Sequence, residues 1–407
     1  MTKKQKNFLL ITILLVSLIQ MPGQATSPAI NKIHTDVFPT LPLSLIQTTF
    51  SITSLCAALG AFIPATLIRR GLVSKRGIVA TGMFMFGLAA ILISLMNTQY
   101  WQFVLVAVLV GFAAAMFISP MISVMVDNFH GEEGRRAAGL QSAANGIGGV
   151  ALSVLGGHLV NFRWYGGYLL LLAGIPIGIL VLLSFPKGKL PRIRRSEESA
   201  SSVTRTRLHS DVYYYTFFAM MAMFMFIVCV SNISVHLSRS GVDNYTVYAG
   251  YATALMMGGT FVAGLLFKKL NSRLGDTMMS LSFIMVFIGY MLISTFDTSI
   301  PAIFVGVFLA GSCLGIMTPQ CIHSVSKVVD ESNSATATAL LTAVAPGLGA
   351  FLSPVIMTNL TTALGGDSTV YRFRFAAIVG ICLAVIVGLL NLYRSKRRST
   401  KAGGAEI

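Results

Sequence analysis

Residues 165–185 read Tyr165-Gly-Gly-Tyr-Leu-Leu-Leu-Leu-Ala-Gly-Ile-Pro-Ile-Gly-Ile-Leu-Val-Leu-Leu-Ser-Phe185. The run has no charged side chain, is apolar all round, and matches the roughly 20 residues a helix needs to cross a bilayer. A strand of a lipid-facing barrel would instead alternate over about ten residues. Similar runs, bounded by charge or turn residues, lie near 8–30, 43–68, 77–96, 101–126, 137–160, 212–237, 246–267, 277–296, 300–326, 334–360 and 375–393. An all-α membrane protein with twelve transmembrane helices is therefore expected. Composition agrees: of 407 residues 55% are hydrophobic and only 11% charged, with a mean hydropathy of +0.76. A soluble protein carries about 25% charge, so an ordinary soluble enzyme is excluded. Disorder is excluded too, because so much apolar surface cannot stay solvated. Cys56, Cys229, Cys313, Cys321 and Cys382 fall inside apolar runs without metal or redox spacing and read as buried thiols.

The net charge of +16 invites a nucleic-acid partner, but its distribution argues against one. Threading the twelve spans with the N-terminus in the cytoplasm leaves only Lys32, Arg163, Arg239, Arg372 and Arg374 on the far side, out of 30 Lys and Arg. That asymmetry is the positive-inside rule. The basic charge reports topology and attraction to anionic lipid headgroups, with both termini cytoplasmic. Residues 1–27 also have the layout of a signal peptide: Lys3, Lys4 and Lys6, an apolar stretch from Phe8 to Ile19, and small residues near Ala25. Retention as a first span is the expectation, because its removal would leave eleven spans and an unmatched first half.

The halves repeat. Pro120 corresponds to Pro319; Ala144-Asn-Gly146-Ile-Gly148 to Ala345-Pro-Gly347-Leu-Gly349; and Phe162-Arg163-Trp164 to Tyr371-Arg372-Phe373. Basic loops follow the second span of each half, at Arg69, Arg70, Lys75 and Arg76 and at Lys268, Lys269 and Arg273. The expected organisation is a six-helix bundle over 1–186, a cytoplasmic linker over 187–210, a second bundle over 211–395 and a basic tail over 396–407.

With this arrangement the chain resembles the major facilitator superfamily over essentially its whole length. Leu67-Ile-Arg69-Arg70-Gly71-Leu-Val-Ser74-Lys75-Arg76 is similar to the family's loop after the second span, with Gly71 in place of the Asp and Ser74 in place of the second Gly. Asp127 followed by Arg135 and Arg136 resembles the loop after the fourth span. Gly148, Gly156 and Gly157 resemble the antiporter motif of the fifth span, but Leu152 and Ser153 stand where Gly-Pro is expected, and Ala107 where the fourth span often has Arg. The resemblance implies two pseudo-symmetric bundles, gating loops built from these charged residues, a monomer, and the inner or plasma membrane of a bacterium.

Solvation cost suggests which helices face a cavity, since polar side chains in hydrocarbon must face protein or water. The first span carries Gln20, Gln24, Ser27 and Asn31, at a spacing that would form one helical stripe. Gln47 lies in the second span, Gln141 and Asn145 in the fifth, Asn232 and His236 in the seventh, Gln320, His323 and Lys327 in the tenth, Thr342 in the eleventh. Spans three, six and twelve are nearly bare and should meet lipid, with span nine joining them. Each amide has two readings: cavity lining, or interhelical hydrogen bonding. Methionines in the seventh and eighth spans, Met256 among them, are either lipid-facing filler or an adaptable ligand surface. The glycines of the fifth span read as close-packing positions; without a preceding strand and a following Lys-Ser/Thr they make no nucleotide cradle, and no cofactor is expected.

No carboxylate falls mid-membrane in this threading. His323 is then a candidate proton carrier, or simply a hydrogen-bonding partner of Gln320, with Asp36 and Asp127 at helix ends as alternatives. Converging catalytic groups are missing, because the histidines scatter over both faces, so an intramembrane enzyme is not expected; loops of about 25 residues at most argue against a receptor or scaffold. The sequence thus points to a secondary transporter of a small, largely apolar or weakly charged organic solute. Proton-coupled efflux is the first expectation and proton-coupled import the rival.

Overall fold

The computed structural model describes residues 2–186, 210–326, 329, 337–338 and 340–403. The expected linker at 187–209, Lys327, the side chain of Arg69 and those of the basic tail lie outside the described residues. Among the described residues eleven helices are long and apolar enough to cross a membrane, and a bent pair, Lys3–Leu18 with Pro22–Val37, counts as a twelfth when taken as one span. We call that pair α1. The others are α2 (Leu43–Ile68), α3 (Lys75–Leu95), α4 (Tyr100–Asn128), α5 (Gly131–Phe162), α6 (Gly166–Ser184) and α7 (Ser210–Arg239). They continue with α8 (Tyr245–Leu274), α9 (Met278–Thr295), α10 (Ile300–Ser326), α11 (Leu340–Ala363) and α12 (Thr369–Gly403).

The first span departs from the sequence reading. Instead of one helix over 8–30, α1 stops at Leu18 and restarts at Pro22 with a bend of 42°. Proline has no amide hydrogen and its ring clashes with the preceding turn, which accounts for the break. Residues 27–29 then wind as a tighter turn and 33–37 as a wider one. Gln20, Gln24, Ser27 and Asn31 consequently do not share a stripe. At the loop after α2, Gly71 has φ +67°, a left-handed turn that glycine adopts without cost. Ser74 caps α3 by accepting from the Gly77 amide.

Each half packs its own core. Phe86, Phe103 and Phe117 fill the first; Phe218, Phe283, Tyr290 and Phe373 fill the second. Helices α3, α6, α9 and α12 pack mainly within their own bundle and expose rows of Leu, Ile and Val, the outer positions expected from their bare sequences. The bundles meet through α1 with α7, α2 with α11, and α5 with α8.

Glycines gauge how close that meeting is. Helix α5 lies between α1 and α8, with one glycine face for each. A Cβ on Gly148 or Gly156 would stand 2.1 or 2.2 Å from a carbonyl oxygen of α1, so these positions serve close packing, as small residues do in membrane helices. Gly139, Gly146 and Gly157 share the face toward α8. A Cβ at Gly157 would lie 2.7 Å from the Thr246 carbonyl; at Gly146 it would only graze Phe261 at 4.0 Å; at Gly139 it would meet nothing within 4 Å among the described residues. The bundles therefore touch in the half away from the termini and part toward the termini. On α2 the same gradient leaves Leu59, Phe62 and Ile63 exposed near the terminal end, while Ala58 still abuts Gly347 of α11.

Candidate functional site

Where the bundles close, they are tied by a polar network. Gln47 of α2 donates to the Ser231 carbonyl at 2.7 Å and to Asn232 Oδ1 at 3.2 Å, both on α7. Its Oε1 accepts from Thr358 of α11 at 2.6 Å. Asn232 Oδ1 also accepts from Arg372 at 3.4 Å, and Arg372 pairs with Asp367 at 2.7 Å. Arg372 is 1% exposed whereas Asp367 is 71% exposed, so a buried guanidinium reaches a carboxylate at the surface. His236, also buried, bonds Thr369 through Nδ1 at 2.9 Å. Around this core, Ser234 donates to the Pro28 carbonyl, Asn161 to Asn244, Thr246 to Asn161, and His158 pairs with Tyr251. Ile30, Leu43 and Val235 seal the apolar remainder.

Directly beneath, level with the break in α1, is a cavity of about 70 Å³. Gly23, Ser27 and Ile30 of α1, Gln47, Phe50, Ser51 and Ser54 of α2, and Ile227 and Ser231 of α7 line it, with Val110 and Tyr168 behind. The N-terminal bundle supplies one wall and α7 the other.

The sequence candidates fall into five groups. Gln47 both lines the cavity and closes the seal, and Ser27 lines the cavity. Asn232 and His236 belong to the seal, and Asn31 sits beside the Tyr245 hydroxyl. Gln20 accepts from Gln141 at 3.4 Å and Gln24 from Ser153 at 3.3 Å; these amides join α1 to α5. Asn145 is half-buried on α5, Met256 is buried in the second core, and Gln320 is buried with its amide toward Ser324. His323 and Thr342 are exposed on the parted half.

Of the charged candidates, Lys75 bonds Asp127 at 2.5 Å and Ser123 at 2.7 Å, tying the start of α3 to the end of α4. Arg70, Arg135, Arg136, Lys268, Lys269 and Arg273 are exposed and Arg76 half-buried on the same face. Lys6 pairs with Glu133 at 2.8 Å. Asp36 is exposed, bonded by Thr35. Arg372 is the member of the buried network that the sequence reading passed over, treating it only as one of the few cations on the far side. Its repeat partner Arg163 is exposed and bonds Tyr165. The available signal was its position at the mouth of a span, with an acid five residues earlier.

The family profile described as Major Facilitator Superfamily matches residues 8–345 and 248–406. The chain belongs to that superfamily. Its members are transporters rather than enzymes, and the two-bundle fold is theirs. No curated protein matches this chain. Among solved structures, the nucleoside transporter NupG is similar at a TM-score of 0.71 and 14% identity, covering 94% of this chain and 98% of that one. A bacterial homologue of the human lysosomal transporter Spinster, inward-facing and unoccupied, is similar at 0.70 and 16%, covering 95% and 96%. A POT family transporter in complex with a thioalcohol-conjugated peptide is similar at 0.71 and 11%, covering 94% and 96%. Superfamily membership covers both bundles, so the seam between them joins the two halves of a transporter.

Proposed function

We propose that this protein is a secondary transporter that moves a small, largely apolar or weakly charged organic solute outward across a bacterial inner membrane, in exchange for protons. The observation that carries this reading is the asymmetric seam: a polar network closing one half, a small cavity under it, and bundles that part beyond it. Rocking the bundles about such a seam would expose the cavity to either side in turn. The parted face carries the gating loops and most basic residues, which by the positive-inside rule is the cytoplasm; the similar Spinster homologue, described as inward-facing, supports that orientation. No carboxylate stands among the residues lining the cavity. His323, exposed on the parted half of α10, is the side chain proposed to carry a proton between compartments. Asp127 is committed to Lys75 and is the weaker candidate.

Inside-out vesicles loaded with the protein test this reading. Solute accumulation should rise with an imposed pH gradient and lose that dependence in His323→Ala. Accumulation that ignores the gradient would remove proton coupling, and an unchanged His323→Ala would remove His323. Import is the second reading, favoured by one observation. Where antiporters carry Gly-Pro in the fifth span, Ser153 here bonds Gln24 and braces α1. Uptake into right-side-out cells would decide for it.

A further inference from the structure

The cavity beneath the seal contains a hydroxyl without a protein partner. Ser27 is 3% exposed, its Oγ finds no hydrogen-bond partner among the described residues, and it lines the cavity. The neighbouring threonines differ: Thr26 donates to the Pro22 carbonyl and Thr53 to the Ala107 carbonyl. Burying an unbonded hydroxyl costs stability, whereas alanine would fit the same place at no such cost. On the same wall Ser51 and Ser54 add two more hydroxyls, and Phe50, Ile30, Ile227 and Val230 supply the apolar surface. None of the lining residues is Asp, Glu, Lys, Arg or His. A charged group entering here would lose hydration and find no counter-charge, a cost an uncharged group avoids.

Size narrows the occupant further. A water needs about 10–15 Å³ of such space, so about 70 Å³ holds several waters or a few heavy atoms, not a whole drug-sized molecule. Gly23 marks one boundary, and a Cβ there would meet nothing within 4 Å. Its bare backbone leaves room that a side chain could fill without touching the protein.

We propose that this cavity is the subsite for an uncharged hydroxyl- or amide-bearing end of the transported solute, with Ser27 Oγ as its hydrogen-bond partner. The proposal rests on the transporter reading and specifies the chemistry at the end of the solute that enters first. The remainder of the solute extends toward the parted half. Charged ends are excluded by the missing counter-charge, so discrimination is by charge before shape.

Three probes with one skeleton and different ends test it: chloramphenicol, which is neutral; its deacylated amine, a cation; and its succinate ester, an anion. Binding to the purified full-length protein in lipid nanodiscs is measured by equilibrium dialysis, with thermal unfolding of each variant alongside. The parent protein should bind chloramphenicol about a hundredfold more tightly than either charged form. Ser27→Ala should weaken chloramphenicol about fivefold to tenfold, the effect of one lost hydrogen bond, while unfolding at the same or a higher temperature. Ser27→Thr should restore binding, and Gly23→Leu should abolish it with unfolding unchanged. Equal affinity for charged and neutral probes, or Ser27→Ala binding as the parent does, would overturn the subsite, as would failure of the parent to bind any probe. A cavity occupied by water alone gives that unchanged Ser27→Ala result. The transporter reading fails separately, if the seam never opens in the labelling experiment described below.

Discussion

Gln47 is the side chain through which the two bundles are most directly tied, and replacing it with leucine removes the ties while keeping the volume. Three hydrogen bonds cross from it: to the Ser231 carbonyl, to Asn232 Oδ1 and from Thr358. Bonds of this type between membrane helices average about 0.6 kcal/mol each, so their loss should cost the closed seam about 2 kcal/mol. At about 1.4 kcal/mol per factor of ten, the population with the seam open rises roughly twentyfold. Val235 reports that population. It is 1% exposed between Ile30 and Leu43, so a cysteine there can be reached only when the bundles part on that side. In a background with the five native cysteines replaced, Val235→Cys should react with a membrane-impermeant maleimide about twentyfold faster when Gln47→Leu is added. Equal rates would refute the assignment of Gln47 as the tie. Labelling that never occurs, with any variant or solute, would refute alternating access itself.

Further expectations follow from the same seam. Gly157→Val places a side chain against the Thr246 carbonyl and Gly250; it should speed Val235→Cys labelling more than Gln47→Leu does, and slow transport severely in vesicles. At the buried cation, the two ends of the Arg372–Asp367 pair should respond unequally. Asp367→Asn leaves a buried guanidinium short of its carboxylate and should lower stability by about 1–3 kcal/mol, whereas Arg372→Met removes the buried charge along with its desolvation cost and should cost less in the same thermal unfolding assay. Asp127→Asn, at a pair with side chains 34% and 51% exposed, should change unfolding by less than about 1 kcal/mol. A larger loss would mean that the α3–α4 corner matters to folding.

The helices were legible because hydrocarbon leaves so few options: among the described residues the twelve apolar runs return as eleven long helices and one bent pair, with ends displaced by a few residues. α5 begins at Gly131 and α8 extends to Leu274, since helices continue past the membrane surface where sequence hydropathy falls away. The break in α1 could have been read from Pro22, but the Gln20–Asn31 spacing was counted straight through it. Polar side chains in spans announced that they must be satisfied, not by what. Gln24 and Ser153 satisfy each other, whereas Ser27 turns to the cavity; only the path of the backbone separates these outcomes. Arg372 illustrates the same limit. The repeat matched it to Arg163, yet its burial depends on Asn232 and Asp367, contributed by α7 and by the turn before α12, which pairing the two arginines alone does not reveal.

Where α5 crosses α8, main chain lies on main chain, Gly157 against Gly250. The two glycines have no side chains to withdraw and re-seat, but the flanking positions are tied side chain to side chain, His158 to Tyr251 and Asn161 to Asn244 and Thr246. Directional bonds thus stand on both sides of the seam, around Gln47 and beside the glycine crossing. In the transport cycle proposed above, a solute touching the cavity wall would have to loosen both sets before one half-molecule could swing on the other.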